Sequence, residues 1–215
     1  MRETQPTIRV MLVDDHEILR AGVRELLSKE PDLSVIAEAG DGGTAVESAR
    51  LQAPDVVVMD LRIPGLSGID AARQIIDEQP EIRIVALSAS TDLPIIRQTL
   101  LAGASAFVTK SSAFEELVAA IRAVAGGGSY FSPGIAEVMS TDKMDTQSMP
   151  LTPREREVLQ LLAGGRTTKA AAATLSLSAK TIETHRRNLM RKLDVDNLAD
   201  LTKFAIRTGL TSAEE

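Results

Sequence analysis

The sequence contains no cysteine and no tryptophan, and its aromatic residues amount to four Phe and one Tyr. Without thiols there can be no disulfide, thiolate zinc site, iron–sulfur cluster or cysteine nucleophile. So few aromatic rings also exclude an aromatic-lined carbohydrate cleft. No apolar run approaches the roughly 18 residues that a bilayer-spanning helix needs, the segment Ile8–Val13 being typical. The first seven residues carry Arg2 and Glu3 and no apolar stretch of the kind a secretory leader has. Neither export nor membrane association is therefore expected, and the composition fits a reducing cytoplasm. What remains is ordinary: 215 residues, 44% hydrophobic and 25% charged, enough for one large domain or two small ones and too apolar for disorder.

Charge divides the chain. Residues 1–131 hold 12 basic against 19 acidic side chains, 132–149 hold 1 against 3, and 150–215 hold 11 against 8. The net charges are −7, −2 and +3. An acidic first part and a basic last part point to two jobs, the second facing a polyanion. The intervening segment, rich in Ser, Thr, Pro and Asp and following Gly126-Gly127-Gly128, reads as an interdomain linker over 132–149.

In the first part, short runs of Val and Ile alternate with amphipathic segments. Strands are expected at Ile8–Val13, Ser34–Ala37, Val56–Met59, Ile82–Leu87 and Ala106–Val108, each followed by a segment of helical spacing. Five β–α repeats imply an α/β fold, a parallel sheet wrapped by helices, with its ligand site outside the carboxyl ends of the strands. The residues at those ends are unusually polar: Asp14 and Asp15, Asp60, Ser88 and Lys110. Carboxylates crowded into one pocket repel and take up protons unless a cation sits among them. An all-oxygen donor set favours a hard ion, Mg²⁺ above all. Any one of these acids could simply cap the following helix, but all three together with Ser88 and Lys110 fit that explanation poorly.

The motifs VDDH at 13–16, MDLRIPGLSG at 59–68, LSAS at 87–90 and FVTK at 107–110 resemble those of a bacterial response-regulator receiver domain. The resemblance implies a flavodoxin-like strand order 2-1-3-4-5 and makes Asp60 the phosphoacceptor. It assigns Asp14, Asp15, Asp60 and the backbone carbonyl of Arg62 to Mg²⁺. Ser88 and Lys110 would contact the phosphoryl oxygens, and Phe107 would repack with Ser88 as the switch. Arg62 and Ser90 occupy the positions that tune loss of the phosphoryl group; Ser90, lacking a carboxylate or amide, favours a long-lived phosphoform. Small Ala89 leaves access for the donor, Pro64-Gly65 forms the closing turn, and His16 is read as a surface residue.

In the last part, Thr152-Pro153 reads as an N-cap followed by proline at the first helical position, and Gly164-Gly165 as the end of that helix. Helices are expected at Lys169–Leu175, Ala179–Leu193 and Leu198–Thr208, the last ending at Gly209. A tight turn at 176–178 joins the second and third into a helix-turn-helix. At about 100° per residue, Leu189 and Leu193 fall within about 20° of Ile182, whereas Lys180, Glu183, Thr184, Arg187 and Arg191 lie about 100° to 200° away. An ordinary solvated helix would have the same pattern.

The whole segment, however, resembles the LuxR-type DNA-binding domain of NarL/FixJ regulators through LTPREREVLQLLAGG, LSAKTIETHRRNLMRKL and ADLTKFAIRTGL. That resemblance implies an all-α four-helix unit whose third helix enters double-stranded DNA. Glu183, Thr184 and Arg187 would meet bases, while Lys180, Thr181, His185, Arg191 and Lys192 would meet phosphates. Where the family has an Asn-Lys-Glu-Ile-Ala run, this chain reads Thr168-Lys169-Ala170-Ala171-Ala172. Ala171 in place of a core Ile calls for compensating packing, or else a looser domain.

Residues 1–131 are thus expected to be a receiver, and 150–215 a DNA-binding domain, of a transcriptional response regulator activated at Asp60 by a sensor histidine kinase. Apart from Mg²⁺-dependent phosphoryl acceptance and self-dephosphorylation, no enzyme activity is implied. The active species is expected to be a homodimer, since one helix-turn-helix offers few base contacts. An aspartate-dependent phosphatase would want a DxD motif where Asp14-Asp15 are adjacent, and a nucleotide binder a Gly-rich first loop that DDHEIL lacks. A receiver that is never phosphorylated, acting only as an interaction module, would have no need for Asp14, Asp15, Asp60, Ser88 and Lys110 together.

Overall fold

The computed structural model describes residues 7–141, 151–208 and 210–211, which form parts of two compact units. The first six residues, residues 142–150, Gly209 and the last four residues lie outside the described residues, so that the second part of the segment expected as linker is among them. Among those described, no helix is long and apolar enough to cross a membrane.

The first unit alternates strands and helices: β1 (Ile8–Val13), α1 (Glu17–Leu27), β2 (Leu33–Ala39), α2 (Gly42–Gln52), β3 (Val56–Asp60), α3 (Gly68–Glu78), β4 (Arg83–Ser88), α4 (Leu93–Leu101), β5 (Ala106–Thr109) and α5 (Phe114–Ala125). The sheet is parallel throughout, in the order β2-β1-β3-β4-β5 extended at its edge by a sixth strand, β6 (Tyr130–Phe131). All five residues of β3 are buried, as expected of a strand covered by helices on both faces. One side of the sheet packs Val10, Leu12, Val56, Val58 and Val85 against Leu117, Ile121 and Val124 of α5.

Register fixes what meets at the carboxyl end. Val13 lies opposite Met59, Asp60 opposite Leu87, and Ser88 opposite Thr109. Asp14, Asp60, Ser88 and Lys110 therefore emerge along one edge, from four neighbouring strands.

The linker expectation needs revision at its start. β6 pairs with β5, Phe131 opposite Phe107, and Ser132 donates its N–H to the Phe107 carbonyl at 3.1 Å. A further helix, α6 (Pro133–Thr141), follows directly, with Ile135 and Met139 fully buried. Those two apolar residues stand one helical turn apart, so burying them folds this stretch onto the first unit.

The second unit contains α7 (Pro153–Ala163), α8 (Thr168–Leu175), α9 (Ala179–Lys192) and α10 (Leu198–Arg207). Each begins at a capping side chain: Thr152, Thr167, Ser178 and Asn197. Ser176 adopts a left-handed conformation (φ 55°) at the turn between α8 and α9. Val158, Leu159, Leu162, Ile182, Leu189 and Leu201 form the core, and Ala171 is buried among the core residues of this unit.

Candidate functional site

Lys110, immediately beyond β5, places its Nζ 2.7 Å from Asp14 Oδ2 and 2.7 Å from Asp60 Oδ2. Both carboxylates are buried, while the lysine is about one-fifth exposed at 19%. Burial opposes the charge on Lys110, but the hydrogen bonds and attraction of the two aspartates outweigh it and hold the ammonium above its ordinary range. The lysine therefore stays charged at any physiological pH.

The remaining oxygens are also directed. Asp60 Oδ1 accepts the Arg62 N–H at 3.1 Å, and Asp14 Oδ1 accepts the His16 N–H at 2.8 Å. His16 Nδ1 lies 2.9 Å from an oxygen of Asp15. One ligand atom from each of Asp14, Asp15, His16 and Asp60 falls within 4.8 Å of the others. Three carboxylates so close, with one ammonium among them, leave excess negative charge and suit a hard divalent cation such as Mg²⁺. His16, set aside as a surface residue, belongs to this cluster although its side chain is exposed.

Ser88 is buried at the end of β4; its hydroxyl accepts the Ser90 N–H at 3.1 Å and its carbonyl the Lys110 N–H at 2.8 Å. The strand ends carrying Ser88 and Lys110 are thus tied together. The Ser90 hydroxyl is itself donated to Asp92 at 2.7 Å, next to α4. Phe107 on β5 is fully buried. Gly65 closes the turn after Pro64 in a left-handed conformation (φ 73°). At Gly68, the last residue of the motif MDLRIPGLSG, a Cβ would stand 2.0 Å from the Asp60 carbonyl oxygen, so only glycine lets α3 start against the end of β3.

On α9, Lys180, Arg187 and Arg191 are exposed, and Thr181 and Glu183 are half-buried. Glu183 is ion-paired with Arg186 and the Thr181 hydroxyl bonds to that of Ser178. Three expected DNA contacts are placed differently. His185 is fully buried; it lies about 60° round the helix from Ile182, a signal present in the spacing. Thr184 is buried and donates its hydroxyl to the Lys180 carbonyl at 3.1 Å. Lys192 donates to Glu155 Oε2 at 2.8 Å, so its charge is engaged inside the unit.

Comparison with known proteins covers both units. Residues 10–122 match the family model described as response regulator receiver domain, and residues 149–205 that of bacterial regulatory proteins, luxR family. The chain is 38% identical over 208 residues to the transcriptional regulatory protein MctR of Rhizobium johnstonii, covering 97% of each. A crystal structure of a LuxR-family two-component response regulator from Aurantimonas superimposes with a TM-score of 0.62 at 42% identity, over 65% of this chain and 99% of that one. A structure of two RcsB dimers bound to two parallel DNAs gives a TM-score of 0.58 at 26% identity, over 92% and 97% of the two chains.

Proposed function

The chain belongs to the LuxR-family response regulators, the transcription regulators of two-component systems, and from that premise we propose that Asp60 is its phosphoacceptor and α9 its DNA-reading helix. The observation that carries this reading is the Lys110 ammonium held between two buried carboxylates, one of them Asp60. Aspartate is a weak nucleophile toward phosphorus, so the charge of the incoming group must be balanced before reaction. Lys110 supplies a fixed positive charge beside the attacking carboxylate. Mg²⁺, held by Asp14, Asp15, Asp60 and the Arg62 carbonyl, would neutralise the phosphoryl oxygens. A sensor histidine kinase provides the phosphoryl group: the P–N bond of its phosphohistidine breaks, an Asp60 oxygen gains the P–O bond, and the imidazole leaves. The acyl phosphate adds about one negative charge and new acceptor oxygens. Ser88 then turns its hydroxyl from the Ser90 N–H to the phosphoryl group, and Phe107 repacks behind it, a shift between two populations of one fold. Hydrolysis at Asp60 resets the switch, and no other catalysis is assigned to the chain.

A regulator that meets both a kinase's phosphoryl group and DNA works in the cytoplasm on this reading. On α9, Lys180, Thr181 and Arg191 hold the DNA backbone, while Glu183 and Arg187 read base edges. Arg187→Ala is expected to relax preference at one base pair by about 1 to 3 kcal/mol, measured by competition between the specific site and its single-base variants. Equal losses on specific and random DNA would remove Arg187 from the reading set.

The active species is a homodimer on two half-sites. Light scattering and DNA titration with and without acetyl phosphate and Mg²⁺, at several salt concentrations, test the switch. Mass and DNA affinity are expected to rise together on phosphorylation. A dimer already complete without phosphate would remove the dependence on Asp60, and unchanged mass and affinity would refute the switch itself.

A further inference from the structure

Asp14 and Asp15 are consecutive residues just beyond the end of β1. Both carboxylates reach one cluster with Asp60. The peptide that joins them lies beyond the strand, so its direction depends on what its atoms bond to.

Arg20 is the side chain that holds it. It stands one turn into α1, mostly buried, and donates from Nη1 to the Asp14 carbonyl, the oxygen of that very peptide, at 2.5 Å. Its Nε donates to Glu38 Oε2 at 3.0 Å, and the other Glu38 oxygen accepts from Arg24 at 3.1 Å. The Asp14 N–H is fixed from the same strand, donating to the Ala39 carbonyl at 3.2 Å. Arg20 also borders an apolar hollow with Leu12, Leu19, Val23, Val58 and Leu87, which limits the directions its side chain can take.

We propose that Arg20 is a positioning residue of the acidic pocket: through the Asp14 carbonyl it sets the direction of the Asp14 and Asp15 carboxylates toward a divalent cation. Glu38 neutralises much of the guanidinium charge, so Arg20 acts by geometry. A planar fork donating to two acceptors in fixed directions does this; the single ammonium of a lysine does not. Partners that orient metal ligands are typically worth about 10- to 100-fold in metal affinity. The inference rests on the reading of this pocket as a Mg²⁺ site.

The test is calorimetric titration of the full, unphosphorylated chain with Mg²⁺ alone, comparing wild type with Arg20→Ala, Arg20→Lys and Glu38→Gln. Both Arg20 variants are expected to bind Mg²⁺ about 10- to 100-fold more weakly. Their rate of phosphorylation by acetyl phosphate should return toward the wild-type value once Mg²⁺ saturates. Glu38→Gln, which keeps Arg20 but loosens its anchor, should show a smaller loss in the same direction. Wild-type affinity in Arg20→Lys would mean that charge alone suffices, and would overturn the proposal. Should neither Arg20 variant fold, Glu38→Gln decides, and wild-type affinity there overturns it equally. If wild type itself takes up no Mg²⁺, the reading of the pocket as a metal site falls instead. The positioning role is then judged from the amide resonances of Asp15 and His16 in the metal-free chain: a shift in Arg20→Lys upholds it, and unshifted resonances refute it.

Discussion

Asp60→Ala is expected to reduce covalent phosphorylation by acetyl phosphate, or by a phosphorylated kinase, to nothing measurable, while the chain stays folded. The first half follows from the site. Asp60 is the buried carboxylate that faces Lys110 and carries the Arg62 N–H.

The second half follows from the charge balance. Removing one partner of a buried ion pair usually costs about 3 to 5 kcal/mol, because a charge is left uncompensated. Here Lys110 keeps Asp14 at 2.7 Å. Relief of repulsion between Asp14 and Asp60 offsets part of the lost attraction, so the net change in stability should stay within about 2 kcal/mol. Intact-mass analysis reads the first outcome and urea unfolding the second. Undiminished phosphorylation of Asp60→Ala would move the acceptor elsewhere.

The pocket was legible in the sequence because a parallel sheet leaves little freedom at its carboxyl edge. Once Ile8–Val13, Val56–Met59, Ile82–Leu87 and Ala106–Val108 are strands, the polar residue ending each run has only that edge to occupy. The structure brings Asp14, Asp60, Ser88 and Lys110 there. What escaped were features whose signal is shorter than a period. β6 has two residues, too few to alternate. α6 is marked by Ile135 and Met139 in a stretch that opens on Pro-Gly and closes on Ser-Thr, which looks like a linker until both are found buried. Arg20 carries no periodic signal at all, since its partner is a backbone carbonyl.

On α9 the helical angle separates Ile182 and Leu189 correctly, and it would also have placed His185 at the border of the core. It places Thr184 on the outward face, however, where the structure has it buried. Angles describe one helix; burial depends on everything packed around it.

Lys192 is the sharpest example, and its partner gives the largest expected effect on stability. Glu155 Oε2 accepts both the Thr152 N–H and the Lys192 ammonium at 2.8 Å, while the Thr152 hydroxyl accepts the Glu155 N–H at 3.0 Å. One carboxylate thus completes the capping box that starts α7 and fastens the end of α9 to it. Its side chain is only 10% exposed and that of Lys192 14%. Glu155→Ala removes the reciprocal half of the cap, worth about 1 kcal/mol. It also strands a mostly buried ammonium, which costs about 3 to 5 kcal/mol when the charge cannot escape. Lys192 has a flexible stem and some access to water, so we expect a total loss of about 2 to 4 kcal/mol. Lys192→Ala should cost less, because Glu155 keeps the Thr152 N–H. Urea unfolding followed by far-ultraviolet circular dichroism measures both variants and their double mutant, and the coupling between the two sites reads the ion pair itself. DNA binding then separates the two roles Lys192 could have. A phosphate contact would lower the salt dependence of binding by about one counterion on removal, at full stability. A structural ion pair instead lowers stability and leaves the salt slope of the folded protein unchanged, which is the expected result. A Lys192→Ala protein of wild-type stability with a slope reduced by about one would return Lys192 to the DNA backbone.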